Sequence, residues 1–121
     1  MLSLLTLMGA ELPYNFVHSI HLVESSGKYG AIKGAHGELG PLQITRRCWK
    51  DSKIKGQFND VTNYNYSVRV LNAYLNRYGA EAVANKDFKY LARLWNGGIK
   101  GNDRKVTLPY WECVRANLKN K

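Results

Sequence analysis

The feature that most constrains the fold of this chain is the spacing of its apolar residues, which repeatedly fall three or four positions apart. In the longest such run they stand at steps of 4, 3, 4 and 3, at Tyr64, Val68, Leu71, Leu75 and Tyr78. This spacing places them on one side of an α-helix, so the run predicts a buried central helix that ends at Gly79. The chain is therefore expected to be mainly helical.

The same spacing predicts further helices, each with a residue suited to one of its ends. They cover residues 13–27, 41–53, 87–98 and 107–118, and a linker is expected at 56–60. The 121 residues hold no internal repeat and are enough to bury a core and leave a cleft. One domain is therefore predicted over residues 13–121.

Residues 1–12 contain the most apolar run of the chain, which is far too short to cross a bilayer as a helix. The run has the length of a minimal signal-peptide core and ends in small residues, but it lacks the basic leader of a secretory signal. A signal-like segment and an ordinary N-terminal segment are both compatible with the sequence. No stable transmembrane anchor is expected.

The net charge of +9 is concentrated in the later part of the chain. Residues 1–45 contain two lysines and three glutamates, whereas residues 46–121 contain sixteen basic and six acidic side chains. Such a surplus favours binding to a polyanion or an anionic surface, a class that includes nucleic acid, membranes and bacterial cell wall. The densest basic stretch is equally explained as a solvated face: Arg46, Arg47, Lys50, Lys53 and Lys55.

Neither the histidines nor the cysteines form a pattern typical of a metal site. His18, His21 and Glu24 share one stripe of the first helix, but there is no HExxH pairing. Ordinary histidines on a polar face are expected, with no metal or other cofactor. Cys48 and Cys113 are too few for a disulfide framework. They are expected to be bridged in an exported chain, or buried as apolar thiols in a reducing compartment.

A glycine-rich segment lies between the first two predicted helices, with five of the eleven glycines in residues 27–40. It is expected to form a long loop or an irregular hairpin. No phosphate-binding motif is present, so the glycines indicate tight turns or backbone that approaches a ligand closely.

Two of the scarce carboxylates, Glu24 and Glu38, lie at or within this segment. Glu24 falls in the last turn of the first helix, where the negative end of the helix dipole and partial burial both raise the pKa of a carboxyl. A glycosidase requires such a protonated acid, usually with a second carboxylate as nucleophile or base. An exposed glutamate at a helix end explains the same position equally well.

Three short elements follow one another along the chain: HLVESSG at 21–27, GELGPLQI at 37–44 and LARLWNGG at 91–98. In sequence and order they resemble the lysozyme-like superfamily, in particular invertebrate-type lysozymes and soluble lytic transglycosylases. The resemblance implies an α+β fold that is mainly α, with a small β element or irregular hairpin beside a cleft. It further implies an enzyme that cleaves the β-1,4 glycosidic bond between N-acetylmuramic acid and N-acetylglucosamine in peptidoglycan.

By the same resemblance, Glu24 is the general acid, which protonates the leaving oxygen and then acts as base toward water or toward the sugar's own 6-hydroxyl. The resemblance also implies that Gln43, Asn96 and Tyr74 lie at the substrate. Trp95 and Trp49 are further candidates, because a flat aromatic ring can stack on a sugar face. For the two tryptophans, stacking on a sugar face and packing in the core are equally compatible with the sequence.

Departures from invertebrate-type lysozymes bear on the mechanism. Their aspartate before the G-P-x-Q-I element has no counterpart in residues 31–37, which leaves Glu38 as a candidate second carboxylate. Trp95 also replaces the histidine common before their asparagine-glycine turn. Hydrolysis and 1,6-anhydro-forming transglycosylation therefore both stay open.

Noncatalytic alternatives stay open as well. One is a lysozyme-like protein that keeps the cleft without cutting, and another is a basic module that binds cell wall or nucleic acid, although no motif for specific nucleic-acid binding is present. The favoured expectation is a monomer that binds peptidoglycan glycan strands and the anionic cell-wall surface. It is expected to be extracellular, periplasmic or carried by a virion.

Overall fold

The computed structural model describes residues 10–119 of the chain. Its α-helices are α1 (Tyr14–Ser25), α2 (Arg46–Ser52), α3 (Tyr64–Asn85), α4 (Phe88–Gly97) and α5 (Leu108–Lys119). Short 3-10 helices cover Phe58–Thr62, Gly101–Asp103 and Lys105–Thr107. The predicted mainly α fold is confirmed, whereas most of the predicted N-terminal segment, 1–12, lies outside the described residues.

The small β element lies between α1 and α2. Leu39 forms isolated antiparallel bridges with Lys33 and with Ile44, so the segment is an irregular hairpin, as predicted. Gly40 has a φ of 86° and lies directly against the backbone carbonyl of Val61. A side chain at this position would be strained and would overlap that carbonyl, so glycine allows the hairpin to pack on the first 3-10 helix.

The core is built around α3, whose Leu71 and Leu75 are fully buried. α4 packs along α3, and α5 packs on both α1 and α4. Phe16 and Ile20 of α1 are also fully buried. This packing brings the C-terminal end of α1, the hairpin, α2 and the end of α4 around one cleft.

The helical geometry does break at Gly79, the predicted end of the central helix, but a second helical segment follows directly and α3 continues to Asn85. Gly79 has φ −147° and ψ 41°, which kinks the helix without ending it. Burial continues beyond the kink at Val83, and the missing side chain lets Leu94 of α4 approach closely. The helix ends at Lys86, which adopts the left-handed conformation with φ 55°.

Two other boundaries differ from the prediction. The second helix, expected from residue 41, begins after Thr45, whose hydroxyl accepts a 3.2 Å hydrogen bond from the Cys48 amide. The expected linker is partly a 3-10 helix, Phe58–Thr62, because Val61 within it is completely buried.

His21 is buried instead of lying on a polar face. Its Nε2 atom hydrogen-bonds the Lys28 carbonyl at 2.7 Å, which ties the start of the hairpin to α1. Within residues 10–119, no three histidine, cysteine, aspartate or glutamate side chains are grouped as metal ligands. No helix in the same range combines the length and the apolar character needed to span a membrane.

The cysteines match neither expectation in full. Both are free thiols, so they are not bridged. Cys48 is half-buried, whereas Cys113 is exposed on α5, so the expectation that both are buried is wrong for Cys113.

Candidate active site

An open cleft of about 570 Å³ lies between the hairpin, α2 and the ends of α1 and α4. Most residues predicted to act on substrate line it: Glu24, Glu38, Gln43, Tyr74, Trp95 and Asn96. Trp49 is not among the lining residues. Each of the three sequence elements contributes to the lining, so segments that are distant along the chain converge on one cavity.

Glu24 occupies the last turn of α1, as predicted, and Ser26 ends the helix in the left-handed conformation with φ 59°. Burial of the carboxyl raises its pKa from 4.5 to about 7, because the charged form loses contact with water. Hydrogen bonds from the Tyr110 and Trp95 side chains lower the pKa, and the charge of Glu38 raises it. Burial is the largest of these effects, so a large fraction of Glu24 is protonated at neutral pH.

Tyr110 is a site residue that the sequence motifs do not include. Its hydroxyl donates a 2.7 Å hydrogen bond to Oε2 of Glu24 from the first turn of α5. Burial and the charge of Glu24 raise the pKa of Tyr110 well above its usual value, so the hydroxyl keeps its proton. The signal in the sequence is a tyrosine on the apolar side of a helix, since a buried hydroxyl requires a partner.

Glu38 lies in the hairpin wall of the cleft and has a different environment. Its Oε1 atom accepts a 2.8 Å hydrogen bond from the His36 amide. Backbone hydrogen bonds, this one foremost, hold the pKa of Glu38 below its usual value. The cleft therefore contains one carboxyl that keeps its proton near neutral pH and one that loses it readily, which is typical of an acid and its ionised partner.

Gln43 holds the hairpin together. Its Nε2 atom donates hydrogen bonds to the carbonyls of Ile32, at 3.0 Å, and Gly40, at 2.9 Å. Gln43 itself adopts a left-handed conformation with φ 52°, within the turn that follows Gly40. Its amide donors are thus used inside the hairpin, so Gln43 shapes the cleft wall.

Aromatic rings form part of the cleft. Trp95 and Tyr74 meet edge to face, with ring centroids 5.7 Å apart and ring planes at 81°. Trp95 is half-buried, packs against the core and also lines the cleft. Trp95 therefore does both things that the sequence left open: it packs in the core and it borders the cleft. Asn96 follows it as an exposed residue at the end of α4.

Trp49 is kept outside the cleft by its own packing. Its indole Nε1 donates a 2.8 Å hydrogen bond to the Tyr66 hydroxyl. Its ring packs against Phe58, with centroids 6.0 Å apart. The core-packing alternative therefore describes Trp49, and the structure does not bring it to the predicted substrate site.

Further polar residues reach the cleft from α2 and from the loop after α4. Arg47, Cys48 and Asp51 of α2 line it, and so does Lys100. Burial raises the pKa of Cys48 to about 12, so this residue stays a neutral thiol. For Arg47 and Asp51 the signal in the sequence is their spacing of four residues, which puts both side chains on one face of a helix.

Comparison with known proteins finds similarity in sequence and in fold. No protein-family model matches the chain. In sequence the chain is similar to a lysozyme from Ostrea edulis, with 35% identity over 78 residues. The match covers 63% of this chain and 57% of that lysozyme, so the chain aligns with little more than half the length of this relative.

In fold, the chain is similar to two crystal structures that contain lysozymes. A chain of Aeromonas hydrophila PliI in complex with Meretrix lusoria lysozyme gives a TM-score of 0.73 at 22% identity, covering 87% of this chain and 89% of that one. Tapes japonica lysozyme gives a TM-score of 0.72 at 23% identity, covering 88% and 92%. The chain therefore has the fold found in these lysozyme structures, and part of its sequence is similar to that of a lysozyme.

Proposed function

We propose that this protein is a peptidoglycan-degrading glycosidase of the lysozyme type, which cleaves the β-1,4 bond between N-acetylmuramic acid and N-acetylglucosamine. The observation that carries the proposal is the Glu24 carboxyl, which lines a cleft and has a pKa of about 7 because it is buried. Similarity to lysozymes in sequence and fold supports the substrate class. The proposed chemistry uses side-chain carboxyls alone.

In the proposed reaction Glu24 acts first as an acid. Its proton passes to the glycosidic oxygen as the bond between that oxygen and the anomeric carbon breaks, which leaves an oxocarbenium-like sugar and a neutral leaving alcohol. The Tyr110 hydroxyl stabilises the resulting Glu24 carboxylate, because it donates to Oε2. The carboxylate then removes a proton from water as the water oxygen bonds to the anomeric carbon, and the acid form returns.

Glu38 is the proposed second carboxylate. The His36 amide favours its ionised form, so it supplies negative charge near the positive charge that develops on the sugar. Asp51 also lines the cleft and adds to this charge. In this role Glu38 would accept a hydrogen bond from the attacking water and so favour hydrolysis. Attack on the anomeric carbon by the sugar's own 6-hydroxyl would instead give a 1,6-anhydro product.

The proposed sugar contacts come from Trp95, Asn96 and Tyr74. The accessible part of Trp95 offers a flat face to a sugar ring, and the Asn96 amide offers both donors and an acceptor to acetamido or hydroxyl groups. Gln43 contributes by holding the hairpin. Trp49 is left out of this set because its indole is used in packing.

The protein is proposed to act at the bacterial cell wall, outside the cytoplasm, in secreted, periplasmic or virion-borne form. The surplus of basic residues after residue 45 would adsorb it to anionic wall polymers.

Product analysis of digested peptidoglycan tests the proposal. The wild-type protein is expected to release fragments with reducing ends, and Glu24→Gln is expected to lower the rate at least about 100-fold because the proton donor is lost. Glu81→Gln removes an exposed carboxyl outside the cleft and should cleave normally, so it is the matched control. A 1,6-anhydro product would assign transglycosylation instead.

Two outcomes would contradict the proposed acid or the proposed enzyme. Cleavage at the wild-type rate by a folded Glu24→Gln variant would exclude Glu24 as the general acid. Adsorption of the wild-type protein to cell wall without any soluble product would support the noncatalytic alternative.

A further inference from the structure

Arg47 is an exposed arginine of α2 that borders the cleft. Arg47 lines the cavity, yet within residues 10–119 its side chain has no hydrogen bond, ion pair or ring contact. Nearby arginines are engaged: Arg46 covers the Phe58 ring at 4.5 Å, and Arg77 donates a 2.7 Å hydrogen bond to the Asp51 carbonyl. Arg47 therefore differs from them in being available to a ligand.

Asp51 does not neutralise this cation. Arg47 and Asp51 lie four residues apart on α2 and both line the cleft, but their side chains form no ion pair. Both charges act on the Tyr74 hydroxyl, because burial and the carboxylate of Asp51 raise its pKa and Arg47 lowers it by a smaller amount. The cation is therefore close to the Tyr74 part of the cleft.

The environment of Glu24 is set by other groups. Its pKa reflects burial together with Tyr110, Trp95 and Glu38. A cation next to a general acid would favour the ionised form and weaken the acid's hold on its proton. Arg47 is not among the groups that shift the pKa of Glu24, so its guanidinium is left to bind a substituent of the substrate.

A second cation, Lys100, lines the same cleft from the loop after α4. Its side chain is exposed and forms no ion pair with any carboxylate in the described part of the chain. Cations from two separate elements thus border one cavity that is also lined by Glu38 and Asp51, and they offer binding partners for negatively charged groups of a ligand.

We propose that Arg47, assisted by Lys100, forms a subsite for carboxylates of the substrate, which makes the protein prefer glycans containing muramic acid to uncharged glycans. The inference rests on the proposed function. The carboxylates are those of the muramic-acid lactyl group or of the peptide attached to it. A planar guanidinium with free N–H groups binds both oxygens of a carboxylate at once, and the ammonium group adds a second charge. A polymer of N-acetylglucosamine alone lacks this group.

Equilibrium binding tests the subsite separately from cleavage. Oligosaccharides of alternating N-acetylglucosamine and N-acetylmuramic acid, with free lactyl carboxylates, are titrated into the Glu24→Gln variant so that no turnover occurs. The same oligosaccharides with amidated carboxylates are the neutral comparison, and a third set retains the stem peptides. We expect the charged ligands to bind about tenfold more tightly than the amidated ones, as one bidentate carboxylate contact provides. Adding Arg47→Gln should remove this preference, and Lys100→Gln should reduce it.

Arg104→Gln is the matched control, because Arg104 is exposed and is not part of the cleft lining. It should keep the full preference. A preference with peptide-free oligosaccharides assigns the lactyl carboxylate, and a preference that requires the peptide assigns the peptide carboxylates. Equal binding of charged and amidated ligands, or a preference that survives Arg47→Gln, overturns the proposal. Failure of the proposed function is a separate result, namely adsorption of the wild-type protein to peptidoglycan without release of any soluble product.

Discussion

The hydroxyl of Tyr110 and the Oε2 atom of Glu24 lie 2.7 Å apart, although 86 positions separate the two residues in the chain. The hydrogen bond joins α5 to the end of α1. It stabilises the charged form of a carboxyl that burial would otherwise keep protonated. Opposing effects therefore hold the pKa of Glu24 near neutrality, and mutation can remove them one at a time.

Tyr110→Phe is expected to raise the pKa of Glu24 above about 7, because it removes a donor to the carboxylate and leaves burial in place. An acid that works in its protonated form would then stay active to higher pH, so the alkaline limb of the activity profile should move upward. The NMR shift of the Glu24 carboxyl carbon measures the pKa directly. Tyr90→Phe, at an exposed tyrosine outside the cleft, should change neither quantity. A Glu24 pKa that stays the same or falls in Tyr110→Phe would contradict the assigned effect.

The raised pKa of Glu24 is expected to make the folded state less stable as pH rises. This carboxyl titrates near 4.5 in the unfolded chain and near 7 in the folded protein. The stability contributed by the bound proton is complete below pH 4.5 and is lost as pH rises to about 7. At about pH 8, Glu24→Gln should be more stable than the wild type by up to about 3 kcal/mol, and at about pH 4 the difference should disappear.

Urea unfolding at the two pH values measures this difference in the free energy of unfolding. Glu81→Gln, which alters an exposed glutamate, should follow the wild type at both. The same pH dependence in the wild type and in Glu24→Gln would indicate that Glu24 titrates as an ordinary exposed carboxyl.

Gly40→Ala is expected to lower the melting temperature far more than Gly37→Ala. Both glycines have a positive φ, 86° and 88°, so alanine introduces a similar backbone strain of about 1–2 kcal/mol at each. At Gly40 the new methyl group also meets the Val61 carbonyl, whereas at Gly37 it enters open space. The overlap should add about 1–3 kcal/mol to the loss. Thermal unfolding followed by circular dichroism compares the variants, and equal losses would contradict the close packing at Gly40.

The helices could be predicted where the spacing of apolar residues within one segment is enough to identify them. The three-and-four spacing around Leu71 and Leu75 is sufficient to identify a buried helix, whatever that helix packs against. Gly79 marks the limit of this reasoning. The glycine does indicate a break in helical geometry, but continuation of the helix depends on Val83 and on the approach of Leu94 from α4.

The site could be predicted to a similar extent. Glu24, Gln43 and Asn96 belong to short motifs, and the structure brings all three to one cleft. Tyr110 lies outside those motifs. It could not be predicted as a site residue, because its contact with Glu24 depends on how α5 packs on α1. Trp49 shows the opposite error, since sequence cannot distinguish an indole that faces a ligand from one that already has an internal partner.

The contact between Gly40 and the Val61 carbonyl has a consequence for changes in the length of the hairpin. Residues inserted near Gly30, which is exposed and has open space around it, would extend into solvent and leave the cleft wall in place. Residues inserted just after Gly40 would displace the turn that the Gln43 side chain closes. The distance from Glu38 to Glu24 would then change. Variation in loop length that preserves both carboxyls is therefore confined to the part of the hairpin before Ile32, whose carbonyl accepts hydrogen bonds from Gly40 and Gln43.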